Sequence, residues 1–565
     1  MKRQSPFVVS VLATLAAALT APEAALEAPP GFVVENAFPL AVFENPLQVV
    51  FLPDGRKLVA DRRGTVDVIL QDGTHVRNFI DLRDEVAGML DLGLLGVAID
   101  PDFASNRWVY FGYTVDPNED GVDNDLHHFV RVARYQASLA DTNAADYSSR
   151  EVLIGATWPT GPPTLFTSHS VGSLRFGLDK SLLISVGDGG HFDTLDAGGL
   201  DPEGFGPGKT DPAEDMGAFR ARSLNSMAGK ILRIDKETGF GLDSNPYWDG
   251  VPTSDRSRVW TYGLRNAYRF SFRPGTGSTD PSAGNPGVIY AADVGWGKWE
   301  ELCIIRQGGR NLGWPCWHGP EVHSGYVFVS ETEAGNDSIL CTEELNYENP
   351  TAESLPSLWI HHNEGAESYP PGWVSLAIIG GDFYTGTEYP EEYQGKYFLA
   401  DYSWSWIRWV EVDVFNNIVD WGDFIEGASG PVDIESDPAT GDLYYVAWGA
   451  KQVRRIRWEG ISSSEGAVGR AGAPNGMSLS SYPNPFRRTA LLNFELPAGG
   501  EASIRVYDAG GRLIRTLAER RVYPAGHQAL EWDGLDSAGR KADPGVYFCR
   551  IEAGGRTESA KVTLR

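Results

Sequence analysis

The sequence predicts an all-β protein, a β-propeller followed by a small β-sandwich. Three observations carry this expectation. Short β-rich runs with period-2 or continuous apolar character recur from residue 31 to 458, among them Lys57-Leu-Val-Ala-Asp, Leu182-Leu-Ile-Ser-Val, Val288-Ile-Tyr-Ala-Ala-Asp, Lys396-Tyr-Phe-Leu-Ala-Asp and Asp442-Leu-Tyr-Tyr-Val-Ala-Trp. The 65 Gly and 35 Pro supply the turns that many short strands need. No long amphipathic helix separates the runs, which excludes an alternating βαβ order and favours a propeller. The insertions 189–226 and 317–365 break the spacing, so periodicity alone gives no blade count. In a propeller such insertions lie on a face, where sites are built.

Composition narrows the function. The 565 residues carry 48 Lys and Arg against 76 Asp and Glu, a net charge of −28. That field repels nucleic-acid phosphate and anionic lipid headgroups, so neither is an expected partner. With 42% hydrophobic residues and 17 Trp the chain is far too apolar to be disordered.

Residues 1–25 read as a secretory signal peptide: Lys2 and Arg3, an apolar run from Phe7 to Leu19, then small residues to Ala25. The run is shorter than the roughly 20 residues needed to cross a bilayer. A mature chain without a transmembrane segment, secreted or at the cell surface, is expected, and disulfides persist there. Of four cysteines, Cys316 and Cys341 flank one long loop and are the favoured pair, worth about 3 kcal/mol by loop-closure entropy. Cys303 could compete for either partner, and Cys549 reads as a core thiol. Residues 459–478 are small and polar, a flexible linker. Residues 479–565 hold 13 Lys and Arg against 10 Asp and Glu, so the tail is +3 and the remainder −31. The short strands of this tail suggest the sandwich.

Four stretches could carry chemistry. His169, in Ser168-His169-Ser170-Val171-Gly172 just ahead of a strand, reads as a general base, because imidazole titrates near neutrality, or as a solvent-facing or capping histidine. Arg265-Asn266 offers several donors to an electron-rich ligand. Asp293-Val-Gly295-Trp296-Gly297, followed by Glu300 and Glu301, combines turning backbone carbonyls with carboxylates and suits Ca²⁺. Asp116-Pro-Asn118-Glu-Asp120-Gly121 opens like a calcium loop, with oxygen ligands at alternate positions, although His127 stands where a bidentate Glu would close it. An ordinary acidic turn is the alternative there.

The first three stretches, with Gly93-Leu-Leu-Gly-Val-Ala-Ile-Asp-Pro-Asp-Phe, Met227-Ala-Gly-Lys-Ile-Leu-Arg-Ile-Asp and Asn311-Leu-Gly-Trp-Pro, resemble the soluble pyrroloquinoline-quinone (PQQ)-dependent glucose and aldose-sugar dehydrogenases, the glucose/sorbosone dehydrogenase family. The resemblance implies a six-bladed propeller that oxidises the C1 hydroxyl of an aldose to a lactone and hands electrons to an external acceptor. His169 matches the family base and Asp188 an acidic residue beside it. Arg265 and Asn266 match the pair that binds the reactive quinone oxygen, and Asp91 stands at a polar cofactor contact. Gly295 and Trp296 match the positions whose carbonyls hold Ca²⁺. Ser168 stands where the glucose oxidisers carry an acid. The segments 400–406 and 430–433 lack the Lys and Arg that neutralise the cofactor's carboxylates, and Arg408 and Lys451 are the candidate replacements. A cofactor-less propeller that binds carbohydrate or protein is the rival reading, and a calcium-dependent lactonase a more distant one. The tail, with Ser481-Tyr-Pro-Asn-Pro-Phe and Pro544-Gly-Val-Tyr-Phe, resembles the C-terminal type IX secretion sorting domain, an Ig-like sandwich. This implies export by outer-membrane secretion machinery.

Overall fold

A computed structural model describes residues 26–117, 127–332, 341, 357–363, 366–460, 478–482, 486, 490–508 and 510–564. The expected signal peptide and most of the expected linker lie outside the described residues. Two compact units are present, one built on Val33–Arg457 and one on Trp458–Arg565. Among the described residues no helix is long and apolar enough to cross a membrane.

Among the described residues the first unit has six antiparallel sheets of four or five strands in chain order, and a two-stranded one formed by Trp317–His318 and Glu321–Val322. The first strands of the six are Pro46–Phe51, Leu94–Ile99, Val171–Phe176, Ala267–Phe272, Ile378–Phe383 and Pro431–Ser436. Each first strand touches the next in that order, and the last touches Pro46–Phe51, so the six close into a propeller-like ring. The closure is made by the chain itself, because Phe32–Asn36 pairs with Gln452–Trp458 and completes the sheet that contains Pro431–Ser436. Sharing one sheet between the two ends of this chain segment locks the ring.

Apolar packing between neighbouring sheets supplies the core. The fully buried Leu174 of the third sheet sits over Gly96 and Gly112 of the second. A Cβ at either glycine would stand 2.6 or 2.5 Å from Leu174 Cδ1, so this close approach requires the absence of a side chain. At the axis the buried Arg269 ties four sheets together. Its Nε lies 3.1 Å from Asp433, and its Nη1 and Nη2 donate to the carbonyls of Leu95 and Leu47 at 2.9 and 3.0 Å. Buried charge on this scale persists only when paired and hydrogen-bonded, as it is here.

In the second unit, a three-stranded sheet (Ser478–Tyr482, Ala490–Leu496, Gly526–Trp532) and a four-stranded sheet (Gly500–Asp508, Leu513–Tyr523, Gly545–Ala553, Arg556–Leu564) enclose one core. Phe494 and Trp532 from the first meet Ile504, Val506, Ile551 and Val562 from the second. Cys549 lies in this core, its thiol pushed up to about 12 by burial, and Cys303 is likewise free and buried. Cys316 and Cys341 form the disulfide.

Leu174→Ala would leave a void above two glycines that cannot fill it. The substitution is expected to destabilise the first unit by about 3–5 kcal/mol, read as a lowered denaturation midpoint.

Candidate functional site

Antiparallel pairing puts the start of each first strand beside the end of its second strand. Pro46 pairs with Asp61, Val171 with Val186, Ala267 with Asp293 and Ile378 with Asp401. Every candidate residue near His169, Arg265, Asp91 and Gly295 therefore emerges on one face of the ring. A repeated device shapes that face. A carboxylate at the end of the second strand accepts hydrogen bonds from the loop that leads into the first. Asp61 accepts from Asn45 N–H at 2.6 Å. Asp293 accepts from Arg265 and Asn266 N–H at 2.9 and 2.6 Å. Asp401 accepts from the Ser375 hydroxyl and from Leu376 and Ala377 N–H, at 2.6, 2.9 and 2.9 Å.

In the third sheet Val186 holds that paired position, and Asp188, two residues past the end of the strand, serves a side chain instead. His169 Nδ1 lies 2.8 Å from Asp188 Oδ1, which also accepts from Gly190 N–H at 2.9 Å. Trp314 Nε1 donates to Asp188 Oδ2 at 2.7 Å. With the carboxylate as acceptor the proton belongs on Nδ1, and Nε2 keeps its lone pair. Burial pushes the His169 pKa below the usual histidine value, and the Arg265 cation adds to this against the pull of Asp188. The imidazole is therefore unprotonated at neutral pH. Burial alone would raise the Asp188 carboxyl, but the hydrogen bond from His169, the Arg265 charge and the Gly190 N–H bond hold it below its ordinary value. His169 adopts φ +57°, a left-handed backbone unusual for a non-glycine residue. Gly187 makes room for it, since a Cβ there would lie 2.5 Å from the His169 carbonyl oxygen.

Arg265 differs from the expectation of free donors. Its Nη1 donates to the carbonyls of Val294 and Gly295 at 3.0 and 2.8 Å, and Nη2 to that of Phe192 at 2.9 Å. The cation also faces the Trp314 ring at 5.5 Å. It therefore acts as a buried charge that grips three carbonyls. The half-buried Asn266 keeps its carboxamide without a hydrogen bond among the described residues.

The calcium expectation at Gly295 and Trp296 meets the same guanidinium, because the Gly295 carbonyl already faces a cation. Gly295 N–H donates to Glu300 and Trp296 N–H to His318 Nε2, at 3.2 and 2.9 Å. Glu300 also lies 2.9 Å from His362 Nε2. Among the described residues no group of three or more His, Cys, Asp or Glu is arranged to hold a metal. Asn118 and Asp120 lie outside the described residues, and Asp116 is buried.

Asp91 is exposed and accepts from the Ser168 hydroxyl at 3.0 Å, which ties down the residue before His169. Arg408 lies 2.9 and 3.6 Å from Asp423 and Glu426, and its buried Nη1 has no hydrogen-bond partner among the described residues. The cation that sequence reasoning missed is Arg62, at the end of the second strand of the first sheet. Its Nη1 donates to the Leu90 carbonyl, while its Nε is buried without a hydrogen-bond partner. It lies close enough to Tyr268 and Tyr402, with Asp91, to act on their hydroxyls electrostatically. In sequence, Asp-Arg-Arg-Gly reads as a solvated turn. Trp314 was also missed as the Asp188 donor, because nothing local in Leu-Gly-Trp-Pro points to a carboxylate 126 residues away.

The family model described as Glucose / Sorbosone dehydrogenase matches residues 43–447. The HIPL1 protein of Arabidopsis thaliana is 25% identical over 358 residues, 57% of this chain and 44% of that protein. Quinoprotein glucose dehydrogenase B of Acinetobacter calcoaceticus is 26% identical over 247 residues, 44% of this chain and 45% of its own. The chain thus spans less than half the length of these curated relatives. The soluble aldose sugar dehydrogenase of Escherichia coli, solved in the apo form, shares the fold with a TM-score of 0.52. It is 19% identical and covers 75% of this chain and 99% of that one.

Asp188→Ala would strand three buried donors at once. A loss of about 3–5 kcal/mol is expected in equilibrium unfolding, well beyond a surface carboxylate's effect.

Proposed function

The chain belongs to the glucose/sorbosone dehydrogenase family, and from that premise we propose that it is an exported quinoprotein that oxidises the C1 hydroxyl of an aldose to a lactone. The observation that carries this reading is the buried His169, its Nε2 left open by the Nδ1 bond to Asp188. His169 Nε2 takes the proton of the C1 hydroxyl, and the C1 hydrogen leaves with both electrons of its bond, as a hydride, while the lactone carbonyl forms. Asp188 holds the ring and stabilises the imidazolium so produced. When bound, PQQ supplies the two-electron acceptor, and an external acceptor regenerates it.

The residues present fit that anionic group. Arg62 carries a buried, orphaned Nε on the site face and supplies the countercharge that the later sheets lack. The Asn266 carboxamide donates to an electron-rich ring oxygen, and the Arg265 cation stabilises negative charge growing nearby. Asp91 would repel the same group, so we assign it to holding Ser168. Gly295 and Trp296 do not fit calcium as they stand, because Arg265 already places positive charge on the Gly295 carbonyl. No step is assigned to that ion.

The six sheets support a six-bladed propeller. The two-sheet second unit supports an Ig-like domain, which we assign to sorting at the outer-membrane secretion machinery, with residues 1–25 as the signal peptide. The Cys316–Cys341 disulfide fits an oxidising compartment.

A base with a depressed pKa stays unprotonated further into acid. The acid limb of kcat/KM is therefore expected below pH 6.5 in a pH–rate profile. Asp188→Asn, which removes the charge that pulls the His169 pKa up, is expected to move the limb lower still and to reduce kcat about 10²–10⁴-fold. Arg62→Gln is expected to weaken PQQ binding about 10–100-fold in an absorbance titration. Unchanged affinity would remove Arg62 from the cofactor site.

A further inference from the structure

We propose that Phe166, His191 and Phe192 form the platform on which the reacting sugar ring lies, with Phe192 the residue that positions it. This rests on the reading of the site as a sugar dehydrogenase.

The loop after Asp188 is built to hold an aromatic ring still. It leaves the site tied to the carboxylate that orients His169, through the Gly190 N–H bond of 2.9 Å. His191 N–H then donates to Asp196 at 3.1 Å, and His191 Nδ1 lies 2.9 Å from Asp193 Oδ1. The Phe192 ring lies on the His191 imidazole, with centroids 5.2 Å apart and 14° between planes. Phe166, three residues ahead of His169, meets the same imidazole edge-on at 4.6 Å. From the other side, Arg265 Nη2 grips the Phe192 carbonyl at 2.9 Å. The backbone of Phe192 is thus bonded to one end of the site and its loop to the other, yet the residue remains 41% exposed.

A single exposed apolar residue on a surface needs no explanation. One fixed by a buried arginine, stacked on a histidine and carried on the loop that orients the base is a presented surface. A pyranose offers a face of C–H groups with hydroxyls around its rim. An aromatic ring takes the first by dispersion and by its electron-rich face, and a carboxylate accepts from the second. Asp193, half-exposed and one residue on, supplies that acceptor. The Asp193 carboxylate itself would repel a phosphate or carboxylate carried on a sugar at this platform. The chemistry selected is therefore a neutral sugar ring, laid flat so that its C1 end reaches His169.

The test uses the full chain in two steps. Saturation-transfer NMR with D-glucose and maltose, without cofactor, compares the wild type with Phe192→Ala and Phe192→Trp. The alanine variant is expected to bind about tenfold more weakly and the tryptophan variant to retain binding. With PQQ added, KM is expected to rise about tenfold in Phe192→Ala while kcat changes little, and Phe192→Trp to restore KM. A loop that served only folding would lower kcat or the melting temperature instead. If the wild type oxidises sugars and Phe192→Ala keeps the wild-type KM and NMR affinity, the platform is overturned and the dehydrogenase reading stands. If the wild type neither binds nor oxidises any sugar, both fall together.

Discussion

A carboxylate at the end of a sheet's second strand is the constraint on which this site depends. Asp61, Asp293 and Asp401 each close a loop against the sheet by accepting its N–H groups, which would otherwise be buried without partners. Two residues past the end of the third sheet's second strand, Asp188 turns the same kind of clamp from backbone to side chains. It accepts from an imidazole, an indole and one N–H, while its own N–H donates to the Arg265 carbonyl and its carbonyl accepts from Arg220 Nε, at 2.8 and 2.9 Å. The third sheet, the fourth sheet, the insertion that follows Asp188 and the Trp314 segment all meet at this residue. The strained backbone of His169 persists because these contacts over-determine it.

Electrostatics explains how a domain of such acidity can hold an anionic group. Net charge describes the far field, whereas binding is decided by the few charges that are desolvated together. On the site face Arg265 is buried among carbonyls and Arg62 has a buried, unmatched Nε. Asp293, which accepts from the Arg265 N–H, is pushed up to about 7 by burial, so this carboxylate is easily neutralised.

Much of this was legible in the sequence, because propeller strands repeat a local pattern. Ala-Asp at the ends of Lys57-Leu-Val-Ala-Asp, Val288-Ile-Tyr-Ala-Ala-Asp and Lys396-Tyr-Phe-Leu-Ala-Asp is the clamp itself, visible as a repeat before its purpose is. His169 and the Cys316–Cys341 pair were equally accessible, one by its neighbours and the other by its spacing. The remainder depends on long-range geometry. Ring closure by Phe32–Asn36, more than 400 residues from its partner strand, leaves no periodic trace. Arg62 and Trp314 act through bonds and fields between sheets, and Arg265 turned out to grip backbone because the carbonyls of Phe192, Val294 and Gly295 converge only in three dimensions.

The most direct test of the central claim is dye reduction by the purified chain after addition of PQQ, with a panel of aldoses, for the wild type and His169→Gln. A neutral His169 acting as base predicts turnover by the wild type and a loss of about 10²–10⁴-fold in the variant, with cofactor affinity unchanged. A wild type that binds PQQ and yet reduces no dye with any aldose would contradict it, as would a variant that turns over at the wild-type rate.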